Sequence, residues 1–159
     1  MQVLTQMLER AINMPNIAND IFKKAVKENE KAILDLNREQ MYEHGIVDVN
    51  KPTQSLQYSN LTKQFKTGAV AGRKPAKYPR IDHITLKWDG TFHKSLKVKF
   101  LDNYFIIWSS DPTWVFDLEL QTRFENALGL TVGSIDKLVD LFIPTFQKST
   151  LSYLLTGKI

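Results

Sequence analysis

The residues best able to do chemistry are three histidines and the carboxylates near them. His44, His83 and His93 are the only imidazoles, and Asp82, His83, Asp89 and His93 form the densest polar cluster. Two histidines and two carboxylates are a metal-ligand inventory. Their spacing fits no helical zinc motif, and on a strand Asp82 and His83 would point to opposite faces. These four read as ordinary polar residues, and no metal ligand set is expected. No Gly-x-Ser-x-Gly run marks a nucleophile elbow. Cysteine is absent, which excludes disulfides, thiolate-bound zinc, iron–sulfur clusters and thiol catalysis. Gly68-Ala-Val-Ala-Gly72-Arg-Lys74 has the look of a phosphate loop. Such a loop needs four residues between its glycines, a hydroxyl residue after the lysine and a following helix. Here three residues intervene and Pro75 follows Lys74. A flexible basic turn is the simpler reading, so catalytic residues and cofactors are both expected to be none.

Charge is more informative than titratable chemistry. The 159-residue chain carries a formal +4. No acidic residue occurs between Asp48 and Asp82, a stretch holding Lys51, Lys63, Lys66, Arg73, Lys74, Lys77 and Arg80. Seven cations there leave the remainder at −3, so the chain is a slightly acidic body with one basic segment. Such a segment meets nucleic acid, an acidic protein surface or water. Lys63, Lys66, Arg73, Lys74, Lys77 and Arg80 are the candidate partner contacts. Tyr58, Phe65 and Tyr78 interleave with them, a pattern that single-strand nucleic-acid binders use for stacking. A nucleic-acid-binding accessory protein using segment 51–80 is therefore the alternative function.

The elements that position these residues follow from apolar periodicity. The length suits one domain over residues 1–159, and 43% hydrophobic with 24% charged residues is ordinary for a folded chain. No apolar run reaches the ~18 residues that span a bilayer, and Glu9 and Arg10 interrupt any signal-like stretch. Neither a membrane nor a leader is expected. Val3, Leu4, Met7, Leu8, Ala11 and Ile12 predict a short amphipathic helix over 2–12. Pro15 should interrupt it. A long helix over Asn16–Glu43 follows, with Ala18, Phe22, Ala25, Ala32 or Ile33, Leu36 and Gln40 on its stripe and Gly45 as its stop. Residues 1–45 are thus helical.

Residues 46–80 read as a long basic loop, rich in Gly and Pro, holding one short helix over Ser59–Phe65 with Ser59 as N-cap. Strands fill 81–110. Ile81–Trp88 and Leu96–Leu101 alternate apolar with polar, Asp102-Asn103 is a two-residue turn, and Tyr104–Ser109 answers as the second strand of a central hairpin. That second strand is apolar on both faces, which calls for cover beyond one core. Residues 112–159 are helical again: a broken stretch over Trp114–Leu128 ending at Gly129, then a long helix capped by Ser134. Ile135, Val139, Phe142, Phe146 and Tyr153 lie near one face of it, and Pro144 should kink or split it. The fold class is α+β, a small antiparallel sheet between helical ends.

One run carries a resemblance. Leu86-Lys-Trp-Asp-Gly-Thr-Phe-His-Lys-Ser-Leu96 is similar to a pattern in the neck and tail completion proteins of tailed bacteriophages. That pattern reads Leu, a basic residue, Asp-Thr-Gly, any residue, an apolar residue, two more, then Ser and an apolar residue. Leu86, Lys87, Gly90, Phe92, Ser95 and Leu96 fall on it, while Trp88 and Asp89 replace its Asp-Thr pair. Gln40-Met-Tyr-Glu-His-Gly-Ile46, Gln57-Tyr-Ser59, the basic Gly/Pro loop and Leu128-Gly-Leu-Thr131 resemble the surroundings of that motif in proteins of Bacteroidetes phages, including the crAss-like type. The resemblance spans most of the chain from Gln40 onward. It implies a non-enzymatic virion protein, made in the host cytoplasm and built into a head–tail connector or tail. Its partners would be copies of itself in a ring (twelve-fold in a connector, six-fold in a tail), the portal or other neck and tail proteins, with packaged DNA nearby.

Overall fold

The structure, a computed structural model, describes residues 2–48, 51–124 and 127–159. Its first element, α1 (Gln2–Glu28), is one continuous 27-residue helix that runs through Pro15. Proline inside a helix removes one backbone bond and crowds the carbonyl four residues back, about 3 kcal/mol. Packing on both sides of the proline offsets this. Before it, the Arg10 guanidinium donates to the Leu154 carbonyl and the Asn13 amide to the Tyr153 hydroxyl. Beyond it, Ile21, Ala25 and Val26 are buried. A break at Pro15 would give up one of these sets. The chain breaks instead at Asn29, whose side-chain amide donates to the Ala25 carbonyl, and α2 (Glu30–Glu43) follows. The expected single helix over 16–43 is thus two. The α2 core face carries Ile33, Leu34, Leu36, Asn37, Gln40 and Met41.

The segment expected as one loop over 46–80 is partly regular. β1 (Val47–Asp48) and β2 (Lys51–Ser55) pair antiparallel. Their sequence has no apolar alternation, so periodicity could not reveal them. α3 (Asn60–Thr67) begins where predicted: the Ser59 hydroxyl accepts the Thr62 N–H. Gly68, at φ 75°, closes it.

The strand predicted over Ile81–Trp88 does not form. His83, Ile84 and Thr85 are consecutive and all buried, which an alternating strand on one core cannot achieve. The backbone then turns at Leu86, φ 50°. Ile84 is nonetheless anchored in a three-way backbone circuit. Its N–H donates to the Leu56 carbonyl, the Leu56 N–H to the Ile46 carbonyl, and the Ile46 N–H to the Ile84 carbonyl. Among the described residues, one two-stranded hairpin therefore replaces the three strands expected over 81–110, and β1–β2 is a separate antiparallel pair outside that range.

A short helix, α4 (Thr91–Ser95), leads into β3 (Leu96–Leu101), which pairs with β4 (Tyr104–Ser109). The register runs from Leu96 opposite Ser109 to Leu101 opposite Tyr104, as the sequence predicts. The left-handed turn residue is Asp102 (φ 34°). Leu96, Val98 and Phe100 face the core while Lys97 and Lys99 are exposed.

The chain then forms α5 (Pro112–Phe116), capped by the Asp111 carboxylate, and α6 (Leu118–Arg123). The long final helix, α7 (Val132–Thr156), is capped by Thr131 instead of Ser134, since the Thr131 hydroxyl accepts the Ser134 N–H. Pro144 lies inside α7 without splitting it. Ser134, Leu138, Phe142, Ser149 and Tyr153 are its buried residues, and Ile135 and Val139, grouped by periodicity with Phe142 and Tyr153, are half-exposed.

These elements form an α+β domain with a contiguous core drawn from α1, α2, the β3–β4 hairpin and α7. Phe22 sits at the junction. Its ring centroid lies 5.6 Å from Phe100, 6.4 Å from Phe105, 6.0 Å from Phe142 and 6.5 Å from Phe146. Tilted and edge-on contacts at this range suit the aromatic quadrupole.

Candidate partner interface

The six candidate cations separate into two groups. Lys66 belongs to the interior and is not a surface contact: its side chain is 0% exposed. The Lys66 ammonium donates to the Tyr58 hydroxyl at 3.1 Å and the Lys87 carbonyl at 3.4 Å, and lies 4.5 Å from the Tyr58 ring centroid. A buried ammonium needs such partners, because losing water uncompensated is costly. Arg80 is also engaged. Its guanidinium donates to the Tyr42 carbonyl and the Glu43 carboxylate, approaches Asp82 at 3.3 Å and stacks on the Tyr42 ring. The Glu43 hydrogen bond raises the Arg80 pKa above its ordinary value.

Lys63, Arg73, Lys74 and Lys77 remain. Arg73, Lys74 and Lys77 are exposed and Lys63 is half-buried. Among the described residues no carboxylate lies within ion-pair distance of any of the four.

The aromatics of the basic segment are covered by the chain's own cations. Lys66 lies over Tyr58, Arg73 over Phe65 at 5.0 Å and Lys77 over Tyr78 at 5.8 Å. Lys87 sits between two rings, 4.3 Å from both Tyr42 and Tyr78. A base stacking on one of these covered faces would first displace a cation already held there. Nothing in the sequence pattern distinguishes open rings from covered ones.

The polar cluster does not converge. The His83 ring bonds the Tyr42 carbonyl at 2.9 Å and approaches Asp82 at 3.0 Å. The His93 ring bonds the Thr85 carbonyl at 2.8 Å. Burial pushes His93 down to about 4, and Lys87, Arg38 and Lys66 act in the same direction. Asp89 accepts both the N–H and the hydroxyl of Thr91, which lowers its pKa. Among the described residues no three His, Asp or Glu side chains stand where they could hold a metal ion. The Gly68–Lys74 run follows a helix instead of opening one, the reverse of a phosphate cradle.

Apolar surface is the larger surprise. The sector of α1 that sets Phe22 and Val26 on the hairpin, about 80° wide at 100° per residue, also carries Leu4, Leu8 and Ile12. Those three are 73%, 63% and 72% exposed. The hairpin tip reaches Asn19, and about 22 Å of helix from there to Leu4 has no cover on this side. The sequence shows the stripe, but not that its partner element stops short. A groove of about 670 Å³ lies between β4 and α7, with Phe22, Phe105, Ile106, Leu130, Ile135 and Val139 on its walls. At the α5–α6 corner, Phe116 is 85% exposed beside Asp117. Scattered single apolar residues need no explanation, but contiguous ones mark interaction sites.

Among the described residues, no helix is long and apolar enough to cross a membrane. Comparison with known protein families, with curated proteins and with solved structures gives no match to this chain.

Proposed function

We propose that this chain is a non-enzymatic structural subunit of a bacteriophage virion, one of several copies in a ring of the head–tail connector or tail. The observation that carries the assembly reading is the bare stripe Leu4–Leu8–Ile12. It continues a core-forming helix face past the end of its cover, and a second copy is the cover that an assembly supplies. The phage assignment rests on the motif over Leu86–Leu96. Its residues do structural work here: Gly90 adopts φ 93° to start α4, and the Ser95 hydroxyl meets the Ser109 hydroxyl at 2.6 Å to lock the hairpin base. A motif that shapes a turn suits an assembly part better than a catalyst.

The test is composition of purified particles. The chain should co-purify with intact virions at a fixed copy number through density-gradient separation. Recovery only as free protein in the lysate overturns the reading. Binding of the free protein to single-stranded DNA separates the alternative: a dedicated binder holds DNA tightly and loses affinity steeply with salt, whereas covered rings predict weak retention.

A further inference from the structure

We propose that the apolar groove between β4 and α7 of one copy receives the basic surface around α3 of the next copy. The inference rests on the assembly reading and names the surfaces that meet.

Ile135 and Val139 stand half-exposed at the groove's α7 lip. One position further along the helix, Asp136 and Asp140 are exposed and four residues apart, so they form a carboxylate pair on the outer side of that lip. Lys137 between them pairs instead with Glu39, at 3.9 Å. The acidic bias is regional: residues 111–147 hold six carboxylates and two cations. The opposite sign gathers on Lys63, Arg73, Lys74 and Lys77, which have no carboxylate partner among the described residues. Leu61, exposed on α3 one turn before Phe65, lies on the same helix face as that ring, over which Arg73 sits, and so supplies an apolar side chain beside Arg73. Among the described residues no ion pair joins the two surfaces within one copy. Opposite charges on different surfaces of one chain produce a head-to-tail contact that each added copy repeats, and that contact closes a ring when the rotation permits. The charges set register and association rate while the groove excludes water.

A charge swap tests this on the full chain. Wild type, R73E/K74E and D136K/D140K are compared by sedimentation velocity over a concentration series at low and high salt, with thermal melts to show that each is folded. Wild type should self-associate at low salt and dissociate as salt rises. Each variant alone should associate about tenfold more weakly or worse. An equal mixture of the two should regain association, since each presents the sign that the other has lost. A wild type that oligomerises independently of salt and is indifferent to both reversals overturns this contact and leaves the assembly reading standing. So does a mixture of folded variants that stays dissociated while wild type associates. If the swap behaves as expected but the chain is absent from virions, the phage reading fails and the contact stands.

Discussion

The side-chain amide of Asn19 donates to the Asp102 carbonyl oxygen, 2.6 Å away, and fastens the hairpin tip to α1. This bond marks the point where the helix face changes role. On its C-terminal side the face packs on aromatic rings; on its N-terminal side the same face is bare. Substitutions on the two sides should therefore behave oppositely. Leu8→Ser should leave the isolated chain's thermal midpoint within a few degrees of wild type, because little burial is lost, while weakening self-association. Phe22→Ala should cost about 3 kcal/mol. A Leu8→Ser loss as large as that of Phe22→Ala would show that the stripe is covered within one copy.

His93 makes the fold acid-sensitive. Its folded pKa of about 4 lies below the ordinary 6.5. Above pH 6.5 the ring is neutral in both states and contributes no pH dependence. Between 6.5 and 4 the unfolded chain takes up a proton that the fold refuses, so stability falls as pH falls, and the loss levels off below 4. The full effect is about 3 kcal/mol, from about 1.4 kcal/mol per unit. Urea midpoints of wild type and His93→Gln between pH 7 and 4 isolate it. The variant should lack this part of the slope, and parallel curves would refute the assignment.

Lys66 should behave unlike its neighbours in the basic segment. Amine-reactive labelling of the folded chain, read by mass spectrometry, should modify Lys74 and Lys77 readily and leave Lys66 protected until unfolding. Lys66→Met, which keeps length and removes charge, should lie within about 1 kcal/mol of wild type, as replacing a buried charge by an apolar group of similar shape is often near neutral. Rapid labelling of Lys66 would place it back at the surface.

Gly45 and Gly72 share a φ of 77° but not an environment. A Cβ at Gly45 would come within 2.7 Å of the His83 ring, whereas one at Gly72 meets nothing within 4 Å. Left-handed backbone costs a non-glycine residue about 1–2 kcal/mol. Gly72→Ala should cost no more than that. Gly45→Ala should exceed it, because His83 is held by the Tyr42 carbonyl. Equal losses in denaturant titrations would contradict the close approach.

Where local and tertiary preferences agree, the sequence is enough. Alternation and a two-residue turn place β3 and β4 to the residue, and Ser59 marks the start of α3. Pro15 misleads because α1 is held by packing on both sides of it, a gain that no local rule contains, and Pro144 leaves α7 unsplit. β1 and β2 are unreadable since their pairing rests on backbone bonds, and Ile84 alternates like a strand residue without lying in one. At the candidate interface the four cations without a carboxylate partner among the described residues are legible as charge. The burial of Lys66 and the bareness of Leu4, Leu8 and Ile12 are not, because both depend on which element ends where.

The circuit of backbone bonds joining Ile46, Leu56 and Ile84 has a kinetic signature. Each residue donates to one member of the ring and accepts from the other, so lifting any one of the three segments frees an N–H on itself and on a neighbour. Amides far apart in sequence should then open in a single cooperative event. In native-state hydrogen exchange the three protons should share one opening free energy and one denaturant dependence, and behave as one exchange unit.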